Sequence, residues 1–357
     1  MSALTRINFG PPLPVDVYAR QPPQELPFPL NNPNCRIYSL ARHGLFMGIR
    51  ALGLKPGDEI LTPAYHHGSE IEALMRAGIV CRFYDIGHRL EPNREELDAL
   101  LGPRVRALHL THFLGFPQNA ARWRAWCDER DLLLIEDAAQ AWLSSREGVP
   151  VGSHGDLSLF CLYKTFGLSD GAAVLCRRAP DPPRQRSPLR IDRVIRYHAI
   201  YLEQRWGWLA EIHRRLKGAR EYDPNRDFAL GDPTRAPNMG TIFLIPRVTN
   251  PQAQGARLAH YAFLLERLGR LVPEPFAHLH EGASPYAFPI QSRCKSALLG
   301  RLYRHGIVAS NFWSVPHPSL KVDKFPQAAA LRESVVALPV HQEMGTEELE
   351  RVVAAVH

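Results

Sequence analysis

Two charged side chains, Asp137 and Lys164, each follow an apolar, strand-like run. Residues 132–135 are all aliphatic and lead straight into Asp137, and Lys164 follows a second, mostly apolar run over residues 157–162. A carboxylate and an amine placed in this way suit pyridoxal phosphate (PLP). That cofactor needs an anion at its pyridine nitrogen and an amine that holds its aldehyde as a Schiff base. The alternative is that Asp137 caps a helix and Lys164 is a solvated loop residue.

Strand-like and helix-like segments alternate between residues 36 and 178. Short β-branched or aliphatic runs are separated by helical patterns of about ten residues, which predicts a largely parallel sheet with helices on both faces. In such sheets ligands bind at the carboxyl ends of the strands. Asp137 and Lys164 both fall at or just after such ends, so we expect them to share one site.

The chain divides by composition into an arm and two domains. Residues 1–35 are rich in proline and predict an extended N-terminal arm, which we expect to contact a partner subunit. Residues 36–240 form the predicted large α/β domain, with a basic helical insertion at about 179–240. Residues 241–357 form the predicted small C-terminal domain, with α+β character.

Within the insertion, residues 194–216 combine an apolar helical face with several arginines. This pattern predicts a helix that packs on the core or on a second subunit, and it leaves membrane-surface binding as the alternative.

The composition gives little support for nucleic-acid or membrane-spanning functions. The net charge of +7 comes from dispersed basic residues without a known nucleic-acid-binding motif, and it suits anionic small molecules equally well. There is no apolar run of about 18 residues, and the N-terminus lacks the apolar segment of a signal peptide. The six cysteines contain no CxxC pair and no metal-ligand spacing, so we expect reduced thiols, no metal site and a cytoplasmic location.

Several ordered motifs resemble the DegT/DnrJ/EryC1/StrS aminotransferases. The family patterns G-x-x-P-G-D-E-V-I-x-P, I-E-D-A-A-Q-A, G-S-x-G-D, D-G-G-A-V, R-G-I and L-P-L-H are matched exactly or closely, in that order, by residues 53–65, 135–141, 152–156, 170–174, 304–307 and 336–341. The resemblance implies the fold-type-I architecture of aspartate aminotransferase, with a mostly parallel mixed sheet between helices and a smaller C-terminal domain. It also implies PLP and a homodimer whose active sites use both subunits. Most members make amino sugars on nucleotide-linked substrates.

The resemblance implies roles for individual residues. Lys164 would be the Schiff-base lysine and general base, with an amine pKa lowered by desolvation. Asp137 would keep the pyridine nitrogen protonated, and Gln140 would position the ring or its phenolic oxygen. His67 occupies the place of the family's ring-stacking aromatic residue. It would stack on the ring as a neutral imidazole or contact the substrate.

The resemblance also places the cofactor phosphate at the N-terminus of the helix that begins near Ala41 and Arg42, where backbone N–H groups favour a dianion. Arg42 would clamp the phosphate directly or cap a surface helix. Arg247 keeps the arginine of the family's G-x-N-x-R motif. It would bind a substrate carboxylate or phosphate, or it has a structural role.

Three positions depart from the family pattern. Tyr163 directly precedes Lys164, where the family has two more residues between them. Cys161 stands at the family's phosphate-binding serine, and Ile245 stands at the asparagine of the motif that contains Arg247. These changes affect the expected substrate more than the expected cofactor.

We therefore expect a PLP-dependent aminotransferase that transfers an amino group from an amino acid to a keto or aldehyde group of a sugar or specialised metabolite. Two alternatives keep the same fold. One is a PLP enzyme of other chemistry, namely elimination, decarboxylation or racemisation, and the other is a non-catalytic family member.

Overall fold

The computed structural model describes residues 5–87, 90–184, 189, 191–209 and 224–357. Its strands are β1 (Cys35–Tyr38), β2 (Glu59–Pro63), β3 (Val80–Tyr84), β4 (Val105–Thr111), β5 (Leu133–Asp137), β6 (Ser145–Arg146), β7 (Val149–Pro150), β8 (Leu157–Cys161), β9 (Ala172–Cys176), β10 (Phe288–Gln291) and β11 (Val335–Leu338).

The α-helices in the described ranges are α1 (Ala41–Ala51), α2 (Ser69–Arg76), α3 (Arg94–Ala99), α4 (Ala120–Asp128), α5 (Leu162–Thr165), α6 (Ile191–Arg205), α7 (Pro224–Phe228), α8 (Met239–Val248), α9 (Ala253–Leu268), α10 (Glu274–Ala277), α11 (Lys295–Arg304), α12 (Pro326–Ser334) and α13 (Thr346–Val356).

A seven-stranded sheet with the order β1-β9-β8-β5-β4-β2-β3 forms the centre of the molecule. The strands from β8 to β3 run parallel, and β9 is antiparallel to both of its neighbours. Strands β5 and β8 are adjacent, with Asp137 opposite Leu159 in the register. Their carboxyl ends therefore meet at the same edge, as the alternating sequence pattern predicted.

Helix α1 packs unusually close to this sheet because it presents glycine to it. A Cβ atom on Gly44 would lie 2.1 Å from Cγ2 of Val174, and one on Gly48 would lie 2.5 Å from Cδ1 of Leu157. The close packing brings the N-terminus of α1 to the carboxyl edge of β8.

The C-terminal part of the chain contains the antiparallel pair β10–β11, on which α9 and α11 pack, and α13 packs on these two helices. Its apolar core also includes Ile7 from the N-terminal arm, which forms a parallel bridge with Ile307. The arm contains one 3₁₀ turn, Val15–Ala19, and packs on its own chain. The predicted domain boundaries remain predictions.

The predicted amphipathic segment at 194–216 is only partly described. Residues 191–205 form α6, and residues 210–223 lie outside the described residues. Helix α6 contacts the arm, since the His198 ring lies 2.8 Å from the Tyr18 hydroxyl and 3.1 Å from the Leu13 carbonyl oxygen. Among the residues that the structure describes, no helix has the length and apolarity needed to cross a membrane.

Candidate active site

A cavity of about 720 Å³ lies at the carboxyl ends of β4, β5 and β8. The N-terminus of α1, the start of α2 and residues 309–315 complete its walls. The following residues predicted from the sequence all line it: Ala41, Arg42, His67, Asp137, Gln140 and Lys164. The structure therefore brings the proposed anion, amine and phosphate-binding helix end into one space.

Asp137 ends β5 and has two polar neighbours on the protein side. Its Oδ1 accepts a hydrogen bond from the Ala139 N–H at 2.9 Å, and its Oδ2 lies 3.5 Å from Nε2 of His109. Burial alone would raise the pKa of this carboxyl, but His109, the Ala139 N–H and Lys164 outweigh burial and hold the pKa below its ordinary value. Asp137 is therefore an anion at neutral pH, as its expected role requires.

Lys164 lies in the one-turn helix α5, directly after β8. Its Nζ lies 5.7 Å from the centre of the Tyr286 ring. Burial lowers the pKa of Lys164, but Cys161 and Tyr286 when ionised, together with Asp137 and Glu70, raise it above the ordinary lysine value. The sequence-based expectation of a lowered lysine pKa is thus wrong for this arrangement, because the ionised forms of Cys161 and Tyr286, and after them the two carboxylates, outweigh burial at the amine.

Gln140 lies one turn beyond Asp137 and is buried. Its Oε1 accepts a hydrogen bond from the Leu114 N–H at 2.8 Å, which fixes the amide and leaves Nε2 as its donor. Since Gln140 also lines the cavity, this donor is the group it offers to a ligand.

His67 is held at the start of α2 by a carboxylate. Its backbone N–H donates to Oε1 of Glu70 at 2.9 Å, and its ring packs edge-on against Phe228 with centroids 5.7 Å apart. Burial lowers the pKa of His67 to about 4, with Lys164 and Arg42 acting in the same direction and Glu70 opposing. The ring is therefore neutral at pH 7, which a stacking role requires.

The N-terminus of α1 opens towards the cavity. Leu40, at the N-cap, gives no side-chain cap to the helix, so this end offers backbone N–H groups to an anion. Arg42 lines the cavity, and its Nη1 also donates to the carbonyl oxygens of Asp227 at 2.8 Å and Ala229 at 2.7 Å. This arginine thus ties α1 to the end of α7 and the residue after it.

The sequence model of the DegT/DnrJ/EryC1/StrS aminotransferase family matches residues 32–179 and 250–357, which are most of the chain. The chain belongs to this family. The prediction of an aminotransferase is therefore confirmed, and the interval between the two matched segments contains most of the insertion proposed from the sequence.

One relative is similar along most of this chain. A UDP-N-acetyl-3-dehydro-alpha-D-glucosamine 3-aminotransferase from Acidithiobacillus ferrooxidans is 25% identical over 329 residues, covering 87% of this chain and 80% of that protein.

Two solved structures share the fold. The aminotransferase PseC from Helicobacter pylori, involved in pseudoaminic acid biosynthesis, aligns with a TM-score of 0.70 at 15% identity, over 99% of this chain and 98% of that chain. NtdA from Bacillus subtilis, solved with its cofactor PMP, aligns with a TM-score of 0.63 at 18% identity, over 90% of this chain and 72% of that chain. The predicted α/β fold with a mostly parallel mixed sheet is confirmed.

Arg247, the remaining candidate from the family pattern, does not line the cavity of its own chain. Its Nη1 donates to the Phe243 carbonyl oxygen at 2.8 Å, and its guanidinium lies 3.8 Å from the centre of the Phe243 ring. On the same helix, α8, Met239, Ile242 and Phe243 are large apolar side chains that remain exposed.

Glu70 and Tyr286 are among the residues of the cavity wall that the sequence did not predict. Glu70 has the signature of a residue that satisfies N–H groups at a helix start, and its carboxylate accepts from the N–H groups of His67 and Gly68. Tyr286 precedes β10 in an irregular segment. No local pattern distinguishes it from other aromatic residues.

Proposed function

We propose that this protein is a PLP-dependent aminotransferase that transfers an amino group from an amino acid to a keto or aldehyde carbon of a sugar-type acceptor. The observation that carries the proposal is that Asp137, Lys164 and the N-terminus of α1 all line one cavity. An anion, an amine and an uncapped helix end are the three groups that the ring nitrogen, the aldehyde and the phosphate of PLP require. The donor set therefore fits the cofactor.

When bound, PLP supplies an electrophilic aldehyde and a ring that withdraws electrons from the α-carbon of an amino acid. Asp137 would hold the proton on the ring nitrogen. Lys164 would hold the aldehyde carbon through Nζ and, once released, would carry the proton between the α-carbon of the donor and the cofactor. A cationic ring nitrogen beside Asp137 would offset the negative charge of this carboxylate. Its effect of raising the pKa of Lys164 would then be smaller.

The remaining walls of the cavity support a sugar-type acceptor. Phe312 and Trp313 stack on one another with centroids 4.7 Å apart, and Ser310 and Asn311 from the same segment add polar groups. Apolar and aromatic walls with a few convergent polar groups are typical of sites for small organic ligands. The named relative from Acidithiobacillus ferrooxidans acts on a dehydro amino sugar, which agrees with this class of acceptor.

We also propose that the protein acts as a homodimer in the cytoplasm. The exposed apolar residues on α8 support a subunit contact, and Arg247 beside them would act in a partner's site or have a structural role. All six cysteines lie in the described part of the chain and are free thiols there, which agrees with a reducing compartment.

The proposal is tested by the half-reaction. Purified protein loaded with PLP receives one amino acid at a time without an acceptor, while its visible absorbance and the released products are measured. An aminotransferase loses the visible band and releases one equivalent of keto acid per site. Repeated turnover with release of CO₂ or an elimination product, or inversion of the amino acid, would show other PLP chemistry. The Lys164→Ala variant is the control, and absence of any band in the wild-type protein would support a non-catalytic family member.

A further inference from the structure

Two histidines, His109 in β4 and His112 directly after it, face the acidic end of β5. Both rings are buried, with His109 1% exposed and His112 fully covered. They face neighbouring carboxylates: His112 faces Glu136, and His109 faces Asp137. The two pairs differ in how completely their hydrogen-bonding groups are used.

The pair His112 and Glu136 is fully bonded. Nε2 of His112 lies 3.0 Å from Oε2 of Glu136, and Nδ1 accepts from the Gln118 N–H at 3.0 Å. Glu136 also accepts from the N–H groups of Gly152 at 2.9 Å and His154 at 2.8 Å. This pair binds β4, β5 and the loop before β8 together, so it is structural.

His109 has no such network. Its Nε2 has one long polar contact, 3.5 Å to Oδ2 of Asp137, and its Nδ1 makes no hydrogen bond to any residue in the described part of the chain. A buried polar group without partners costs about 1–3 kcal/mol. An aliphatic residue at this buried position would avoid that cost, so the imidazole calls for a functional reason.

The register of the sheet sets the direction in which His109 can act. Thr111 is opposite Asp137 and lines the cavity, and His109 lies two residues earlier in β4, on the same face of the sheet. Nε2 must carry the proton where the ring faces the carboxylate, because two acceptors facing each other would repel. His109 therefore presents an N–H to Asp137 from the side away from the cavity.

We propose that His109 is a positioning residue that keeps the Asp137 carboxylate ionised and directed into the cavity. This inference rests on the proposed function, in which Asp137 holds the proton on the ring nitrogen of the cofactor. The other ionisable groups that act on Asp137 are Lys164 from α5, Cys161 from the end of β8 and Glu70 from α2. Lys164 is the cation among these, and it is committed to the aldehyde of the cofactor.

The affinity of the site for the cofactor should therefore depend on pH. Burial raises the pKa of Asp137 and His109 opposes it most strongly, so the pKa lies below its ordinary value. Binding energy that depends on the carboxylate is present above this depressed pKa and is lost as the pH falls through it. Without His109, the effect of burial on Asp137 is opposed less, so the pKa of this carboxyl rises. The binding energy that depends on the carboxylate is then lost at a higher pH.

The test uses cofactor-free full-length protein and pyridoxamine phosphate. This compound has the ring nitrogen and phosphate of PLP, but it has no aldehyde and so cannot form a Schiff base with Lys164. Its dissociation constant is measured across the acidic to neutral range for wild type, His109→Leu and His109→Gln. We expect the pH of half-maximal affinity to rise by about one unit in His109→Leu. In His109→Gln, whose amide places an N–H near the position of Nε2, we expect it to return towards the wild-type value.

Asp137→Asn gives the reference profile, which should lack this titration. An equal loss of affinity at every pH in His109→Leu would mean a purely structural role and would overturn the inference. Should His109→Leu fail to fold, His109→Asn replaces it, because its shorter amide does not reach the position of Nε2. Failure of the wild-type protein to bind pyridoxamine phosphate would instead reject the proposed cofactor, so the two failures are distinguishable.

Discussion

Arg257 of α9 donates from Nη2 to the carbonyl oxygen of Thr165 at 2.8 Å, one residue after Lys164. The same guanidinium donates from Nη1 to the Pro285 carbonyl oxygen at 3.0 Å and from Nε to Oε1 of Gln342 at 2.8 Å. Burial lowers the pKa of Arg257 only to about 10, so it stays charged at neutral pH. One buried arginine therefore joins the shortened segment that carries Lys164 to the residue that precedes Tyr286.

Replacing Arg257 by Met should destabilise the protein, because it leaves the Thr165 and Pro285 carbonyl groups without this donor. We expect the free energy of unfolding to fall by about 3 kcal/mol. Denaturant unfolding of the cofactor-free protein measures this. Arg267→Met on the same helix is the matched control, because that side chain is 39% exposed and should change stability by less than about 0.5 kcal/mol. Equal stabilities of the two variants would contradict the anchoring role.

Arg332 joins the cavity wall at Trp313 to the segment that follows β2. Its Nη2 donates to the Ala64 carbonyl oxygen at 2.7 Å, and its Nη1 donates to the carbonyl oxygens of His66, at 3.1 Å, and of Trp313. We expect Arg332→Met to raise the KM of the acceptor more than it lowers kcat, since Trp313 is on the wall and the chemistry lies at Lys164. Steady-state kinetics with a fixed amino donor checks this. A fall in kcat at unchanged KM would show that Arg332 acts on the reacting groups instead.

The sequence predicted the parts of the site that depend on strand ends and helix ends. Asp137 and Lys164 were found because the carboxyl ends of parallel strands meet, whereas Arg42 was named from the family resemblance, which places the cofactor phosphate at the N-terminus of a helix. His109 was missed because a polar residue in a strand reveals neither its face nor its partner without the register. Arg257 was missed because its contact with Thr165 joins residues far apart in the chain.

His67→Phe should change how the stability of the cofactor-free protein depends on pH. Burial lowers the pKa of His67 from 6.5 to about 4, so the unfolded chain binds more protons than the folded chain between these values. The contribution of His67 to stability is complete above the unfolded pKa and is lost as the pH falls towards 4. Phenylalanine lacks this titration.

Urea unfolding of wild type and His67→Phe at about pH 5 and about pH 7.5 tests this expectation. The variant should gain stability relative to wild type at the lower pH. His43 and His341 also have lowered pKa values, but both are present in the two proteins and cancel in the difference. A difference that is the same at both pH values would mean that His67 is not buried in its neutral form.

Arg42→Met separates a phosphate contact from a structural one. If Arg42 binds the cofactor phosphate, the variant should lose roughly tenfold or more in affinity for pyridoxamine phosphate while its affinity for pyridoxamine, which has no phosphate, stays unchanged. Isothermal titration of the two ligands makes the comparison. Equal losses for both ligands would assign Arg42 to its contacts with the Asp227 and Ala229 carbonyl groups.

The most direct measurement of the proposed site is the identity of the lysine that bonds to PLP. The cofactor-free protein is incubated with PLP, reduced with sodium borohydride and digested, and the modified peptide is sequenced by mass spectrometry. The proposed site predicts one reduced PLP adduct per chain on Lys164, and none in Lys164→Ala under the same conditions. An unmodified Lys164 at saturating PLP, or an adduct on an unrelated lysine such as Lys55, would contradict it.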